Sequence, residues 1–358
     1  MSKVRSGNYF EDFVIGATFR HAAPRTLTDG DRSLYIGLTG SRAVLGTAVT
    51  NSRYLGLSGW PLDDILVFNV AFGKTVNDVS FKARGNLGYA DVRFLAHVFA
   101  GDTLTVESTV IGLRENSSGS TGIVYVRSVA RNQHEVEVLS YVRWVMVSKR
   151  DPKTPCPIAV VPTLPESVAT EHLASKTFAP STTAKAFAPG IRKIANLTGQ
   201  SALWENYDIG ERNDHPVGMT VHPSDAATAT RLYQNNAPGH FDHILMSNRP
   251  LIYGGHIISL SVAAAYDGFE NGIGILGINA GTHVAPTFAG DTICCASMVT
   301  DKIDISHDVG ALRIRTVAAK NLAQSSDILF PSIGAGRSEY ADNIVLDMDY
   351  TIAMPKGA

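Results

Sequence analysis

The chain is short of cysteine, of long apolar runs and of net charge, and each shortage removes a class of function. Three cysteines (Cys156, Cys294 and Cys295) cannot build a disulfide framework, and the two adjacent ones do not bridge each other comfortably. That usage points to a reducing compartment, and a cytoplasmic location is expected. Nowhere do about 18 apolar residues run together, and residues 1–8 carry no apolar signal core. Neither a membrane span nor secretion is expected. The 31 lysines and arginines are balanced by 33 aspartates and glutamates. This leaves no basic field for nucleic acid or an anionic membrane surface. A Walker loop, a dinucleotide fingerprint and a Cys/His metal spacing are all missing, so neither metal nor redox cofactor is expected. What is there is a globular composition in 358 residues, 44% hydrophobic and 18% charged, with room for two ordinary domains or one large one.

The chain also repeats itself. Phe99-Ala100-Gly101-Asp102-Thr103 recurs letter for letter as Phe288-Ala289-Gly290-Asp291-Thr292. Val126-Arg127-Ser128-Val129-Ala130 is echoed by Ile314-Arg315-Thr316-Val317-Ala318. Upstream, Phe13-Val14-Ile15-Gly16 pairs with Tyr207-Asp208-Ile209-Gly210, Asp31 with Asp225, and Phe72-Gly73 with Tyr253-Gly254. One five-letter match is a common turn into a strand. An ordered series is a duplication.

Between the copies the composition changes. Pro152, Pro155, Pro157, Pro162, Pro165, Pro180 and Pro189 fall among many Ser, Thr and Ala residues. Such a stretch carries few ladder hydrogen bonds and reads as a linker laid over the surface. The units are therefore 1–150 and 201–358, with 151–200 joining them. Within each unit a helix precedes strands. Residues 67–73 lead to a short helical stretch in the first copy, and 254–265 form a helix apolar on every face, hence buried, in the second. Alternating β-prone runs follow at 104–111, 122–129 and 138–147, the last ending Tyr141-Val142-Arg143-Trp144-Val145-Met146-Val147. The expected class is α+β: a buried helix wrapped by an antiparallel sheet, made twice, each sheet with one solvated face.

These features resemble the MaoC/hydratase-2 group of hotdog proteins. The likeness is carried by Phe10-Glu11-Asp12-Phe13-Val14-Ile15-Gly16 and by the Ala-Gly-Asp-Thr turn. Residues 66–80, 86–94, 141–147 and Arg231-Leu232-Tyr233-Gln234-Asn235 are similar to the mesaconyl-CoA (2-methylfumaryl-CoA) hydratases within that group. The resemblance covers nearly the whole chain. It implies a tandem double hotdog and reversible addition of water to mesaconyl-C1-CoA, giving β-methylmalyl-CoA, with coenzyme A as part of the substrate and no other cofactor. It further implies a homodimer.

Hydratase-2 proteins carry an aspartate and a histidine five residues apart that hold the reacting water. Here the second copy reads Gln234-Asn235-Asn236-Ala237-Pro238-Gly239-His240, whereas its counterpart, residues 40–46, loses both groups. The resemblance thus places one active site in the C-terminal copy, with the N-terminal copy accommodating substrate. An imidazole titrates near neutrality, so His240 is the candidate acid/base. Asn235 stands where the aspartate would be. An amide transfers no proton at pH 7 but orients a water. Gly255, at a helix start with free N–H groups, is the candidate donor to the thioester oxygen. Gly254 either shares that task or permits tight packing, and His256 either lines the pocket or faces the core. Pro238 matches the proline of the family's motif and, with Gly254, His256, Arg231 and Lys74, is a candidate substrate-binding residue. Lys74 is a candidate for a CoA phosphate. Arg42, Arg84, Arg93 and Arg231 are candidates for the free carboxylate of the acyl group, which a guanidinium fork fits.

Three rivals stay open at this stage. An (R)-specific hydratase for another acyl chain would share the histidine. A hotdog thioesterase needs a carboxylate at its central helix, and 254–265 has none. A non-catalytic acyl-CoA-binding protein is made conceivable by Asn235.

Overall fold

The computed structural model describes residues 7–156, 158–178, 184–332, 334 and 336–357. The first six residues, Pro157 and Pro180 lie outside them. The strands are β1 (Thr18–Arg20), β2 (Arg25–Thr26), β3 (Ala83–Phe94), β4 (Thr103–Glu115), β5 (Thr121–Arg131) and β6 (Glu137–Ser148), then β7 (Arg212–Asp214), β8 (Met219–Thr220), β9 (Gly274–His283), β10 (Thr292–Asp304), β11 (Val309–Lys320) and β12 (Ile344–Pro355). The α-helices are α1 (Asp29–Thr39), α2 (Val44–Thr47), α3 (Val49–Tyr54), α4 (Asp64–Thr75), α5 (Thr170–Leu173), α6 (Ala184–Thr198), α7 (Pro223–Leu232) and α8 (Gly254–Ala264).

One antiparallel sheet runs β1-β4-β5-β6-β3-β9-β12-β11-β10-β7, with β2 on β4 and β8 on β10. The halves of this order are copies of each other. They meet where Tyr89 of β3 pairs with Gly281 of β9, antiparallel. Each half supplies one central apolar helix, α4 or α8, to a common core that includes Phe68, Phe72, Ile258 and Leu260. This is the tandem double hotdog.

The repeated letters now have physical reasons. In both Gly-Asp turns the glycine takes a positive φ (+101° at Gly101, +96° at Gly290), a region closed to most side chains. The aspartate then closes the turn by accepting the N–H of Phe99 (2.8 Å) or Phe288 (2.9 Å). Asp31 and Asp225 close capping boxes at the starts of α1 and α7. A buried network, His21–Ser108–Ser128, is repeated as His215–Ser297–Thr316.

Four expectations need correction. Phe72-Gly73 is not the counterpart of Tyr253-Gly254. Gly254 opens α8, whereas Gly73 lies near the end of α4, so the true partner of Tyr253 is the residue before α4, Asp63. Residues 67–73 do not lead to a helix but lie inside one. Asp63 caps it by accepting the N–H of Ile65, and the apolar run is buried around it. The linker is not all surface. Phe187, Ile191 and Ile194 form an i, i+4, i+7 stripe on α6 that packs with Leu45, Leu55 and Ile273, despite Pro189 inside the helix. Finally, β5 and β6 are buried over most of their length rather than alternately solvated. Their outer side is covered by the N-terminal segment, with Phe10 and Phe13 against Val124 and Val145.

Candidate active site

Helix α8 begins differently from α4. Asp63 caps α4 with its carboxylate, but Tyr253, before α8, contributes no side-chain cap. The first N–H groups of a helix have no intrahelical acceptor and carry the positive end of its dipole. At α8 these donors, from Gly254 and Gly255, are left for something else. Both glycines are required by their neighbours. A β-carbon at Gly255 would overlap the side-chain oxygen of Asn69, and one at Gly254 would sit 2.5 Å from the imidazole of His283. Asn69, from α4, donates to the Gly255 carbonyl (3.1 Å) and to Ser259 (3.0 Å), and accepts the Tyr253 hydroxyl (3.0 Å). The first copy thereby fixes the helix start of the second.

His240 follows α7 on a single 3-10 turn, Pro238–His240, whose first residue is the expected proline. Its Nδ1 lies 3.0 Å from the Leu251 carbonyl oxygen. A carbonyl only accepts, so Nδ1 carries the proton and Nε2 is left as the basic nitrogen. The ring packs 5.6 Å from that of Tyr253. Surrounding protein lowers its pKa from the ordinary 6.5, partly opposed by the Leu251 bond.

A second histidine was missed in the sequence. His283, at the end of β9, lies against Gly254 and 3.1 Å from the Tyr89 hydroxyl. Burial, with a smaller contribution from the charge of His240, pulls its pKa down to about 4. Burial therefore leaves both imidazoles neutral near pH 7. No spacing in the sequence ties His283 to His240. The only signal was a histidine at the tip of a strand.

The remaining predicted residues spread out. Asn235 is buried, and its amide oxygen accepts the Ala237 N–H (3.0 Å), shaping the turn that carries His240. That leaves its NH2 group for a water. His256 is buried with Nδ1 unpartnered, and desolvation puts its pKa at about 4. Its described contacts include neither His240 nor His283. Lys74 donates to Gln234 (2.7 Å) on the rim of an open cleft of about 300 Å³ that includes Asn77 and Asn236. Arg231 is exposed in the last turn of α7. Of the guanidinium candidates, Arg42 is taken by Asp267 and Arg93 by Asp91, and Arg84 donates to Ser148.

One arginine outside that set is unusual. Arg143, in the middle of β6, is fully buried and among the described residues meets only neutral oxygens: Thr75 Oγ1 (2.7 Å), Ser80 Oγ (3.3 Å) and Asn86 Oδ1 (3.5 Å). Its guanidinium lies 4.1 Å above the Phe72 ring. Desolvation lowers its pKa. The signal was a lone charge in an otherwise apolar β-run.

A pocket of about 100 Å³ lies elsewhere, at the start of α4 among Ser41, Asp63, His97, Lys176 and Tyr350. It is the counterpart of the His240 region in the first copy, and its polar groups are spent on structure. Asp63 caps its helix and accepts from Ser41 (3.1 Å), and Asp64 is paired with Lys176. A capped helix start beside two carboxylates repels a developing oxyanion. The open start of α8 attracts one.

The chain is a double hotdog of the class of MaoC-like acyl-CoA hydratases and dehydratases, which are hydro-lyases, and its two buried histidines stand at the uncapped start of the central helix of the second copy. Within that class the chain belongs to the mesaconyl-CoA hydratase family, whose model matches residues 2–320. It is 46% identical over 365 residues to the β-methylmalyl-CoA dehydratase of Chloroflexus aurantiacus, covering 99% of each chain. It is 42% identical over 367 residues to the mesaconyl-CoA hydratase of Cereibacter sphaeroides, covering 99% of this chain and 100% of that one. The crystal structure of a MaoC domain dehydratase from Chloroflexus aurantiacus superposes with a TM-score of 0.90 at 44% identity, over 99% of both chains.

Proposed function

We propose that this chain catalyses the reversible hydration of mesaconyl-C1-CoA to β-methylmalyl-CoA, at one site built around the start of α8. The observation that carries the reading is the uncapped N-terminus of α8 with His240 and His283 beside it. Water adds to Cβ as His240 Nε2 takes its proton, and the same pair returns a proton to Cα. Negative charge grows on the thioester oxygen, where the Gly255 N–H and the helix dipole stabilise it, with Gly254 leaving room for His283. Asn235 and Pro238 hold the His240 turn, and the Asn235 NH2 group orients the water. The cleft beside Lys74, with Arg231 on the adjoining helix, takes the phosphates of coenzyme A. His256 sits behind the site as a buried neutral group.

In this reading the unit 201–358 is catalytic, the unit 1–150 walls the substrate in, and 151–200 joins them. Every group assigned a step is a histidine, an amide or a backbone N–H, so the reaction as written draws on no metal or redox cofactor. The three cysteines are free, which suits a cytoplasmic setting. A homodimer completes the reading, and sedimentation of the purified protein tests it. The function is tested by the loss of enoyl-thioester absorbance on adding mesaconyl-C1-CoA, with crotonyl-CoA in parallel and free thiol assayed. Hydration of mesaconyl-CoA without thiol release is expected. Thiol release would make the protein a thioesterase, reaction with crotonyl-CoA alone would change the substrate, and silence with both would make it a binding protein.

A further inference from the structure

We infer that Arg143 is the anchor for the free carboxylate of the acyl group, and that it makes this site selective for enoyl thioesters bearing an acid on Cβ. The inference rests on the hydratase reading for its substrate, but its geometry stands apart from it.

A buried guanidinium normally has a carboxylate beside it, because an unpaired charge in a poorly hydrated site is costly. In the second copy Arg313 and Arg315 obey this, pairing with Asp349 and Asp347. Arg143 is more buried than either, and among the described residues no carboxylate pairs with it. Among the described residues its Nε–H has no acceptor, and neither has the adjacent Asn86 Nδ2. The Tyr141 hydroxyl leans toward Thr75 and Ser128 without reaching either at hydrogen-bonding geometry. Three unpartnered donors around one positive charge form a preorganised site for a small anion.

The register shows where that anion belongs. Arg143 on β6 stands directly opposite Tyr89 on β3, and Tyr89 stands opposite Gly281 on β9. His283 is two residues beyond Gly281, so the period-two alternation of strands brings it to the same face. Arg143, Tyr89 and His283 therefore line one face across three neighbouring strands spaced about 4.8 Å apart, with His283 two residues further along its strand. A continuous run of ring contacts, Phe72 with Tyr89, Tyr141 and Tyr253 and then Tyr253 with His240, connects the wall that carries the guanidinium with the His240 ring. Thr75 and Ser80, which hold the guanidinium, bracket Asn77 on the edge of the open cleft.

In mesaconyl-C1-CoA the carboxylate is bonded to Cβ, the carbon that water attacks. A bidentate grip on it turns that carbon toward the histidines. It also offsets the repulsion between the carboxylate and the charge growing on the thioester oxygen. Crotonyl-CoA has a methyl group in the same place and would leave Arg143 unpaired, so the site rejects it by the cost of that orphaned charge.

The test uses two unreactive esters, succinyl-CoA and butyryl-CoA, which differ only in a terminal carboxylate against a methyl group. The native protein should bind the succinyl ester on the order of 10²-fold more tightly by calorimetry. Arg143→Gln should abolish that difference while leaving butyryl-CoA binding unchanged. It should lower kcat/KM for mesaconyl-CoA by roughly 10²–10³-fold without lowering that for crotonyl-CoA. Arg143→Lys keeps the charge without the fork, and should retain part of the preference even if Arg143→Gln does not fold. Equal binding of the two esters by native protein that hydrates mesaconyl-CoA would overturn the anchor alone. A succinyl preference lost in Arg143→Gln, in a protein that hydrates nothing, would keep the anchor and remove the hydratase.

Discussion

Gly254→Ala should silence the reaction while sparing the fold. A β-carbon at 254 would stand 2.5 Å from Cε1 and Nε2 of His283, its nearest neighbours, roughly an ångström inside van der Waals contact. The imidazole is a partly buried side chain at a strand end, so it gives way before the helix does. Moving it breaks the contact with the Tyr89 hydroxyl, a net loss of about 1 kcal/mol. Alanine returns about 0.5–1 kcal/mol over glycine in a helix. The two nearly cancel, and the melting temperature should stay within about 4 °C of native. Catalysis has no such offset. An acid–base group displaced by about an ångström costs on the order of 10²-fold in rate, and losing its proton transfer altogether costs roughly 10²–10⁴-fold. The assay is kcat from enoyl absorbance, with butyryl-CoA binding as a control for the intact cleft. A folded Gly254→Ala protein turning over at the native rate would remove His283 from the reaction.

Three further expectations follow from the same geometry. His240→Ala should lose roughly 10²–10⁴-fold in hydration with butyryl-CoA binding retained, and the acid limb of the native pH–rate profile should lie below the ordinary histidine value of 6.5, since burial lowers the His240 pKa; a native rate in the mutant would end the mechanism. Ser41→Ala, in the first-copy pocket, removes one bond to Asp63 and should leave hydration unchanged, whereas a large loss would move the active site to the other half. Finally, His256 titrates at about 4 folded against 6.5 unfolded. Its contribution is full above pH 6.5 and is lost as pH falls to about 4, a swing of roughly 3 kcal/mol. His256→Met should therefore flatten the fall in melting temperature between pH 7 and pH 4.5, and an unchanged slope would refute the assignment.

What could be read in the sequence was what repeats or is local. The duplication was visible because both Gly-Asp turns need the same positive φ and the same closing carboxylate, and those needs keep letters in place. Helix α8 was visible because small apolar residues continue on every side of it. Helix α6 was hidden by Pro189, although Phe187, Ile191 and Ile194 had the right spacing. The pairing of Gly73 with Gly254 failed because two glycines after aromatic residues served different contacts. His240 was found through its loop, but His283 and Arg143 were not. Their relation to it is set by the register of β6, β3 and β9, and a register across three strands from two copies leaves no spacing in the chain.

The β3–β9 seam has a consequence for how such a protein changes. In a symmetric pair of single hotdogs every substitution appears twice, and both catalytic pockets inherit it. Here Tyr89 and Asn69 come from one half, His283 and Gly255 from the other, so the pocket is heterologous although its parents were alike. A replacement in either half falls on one side of that pocket only. The opposite pocket was thereby free to close over Asp63 and become scaffolding, while an arginine with no acid of its own could settle in the wall of the working one.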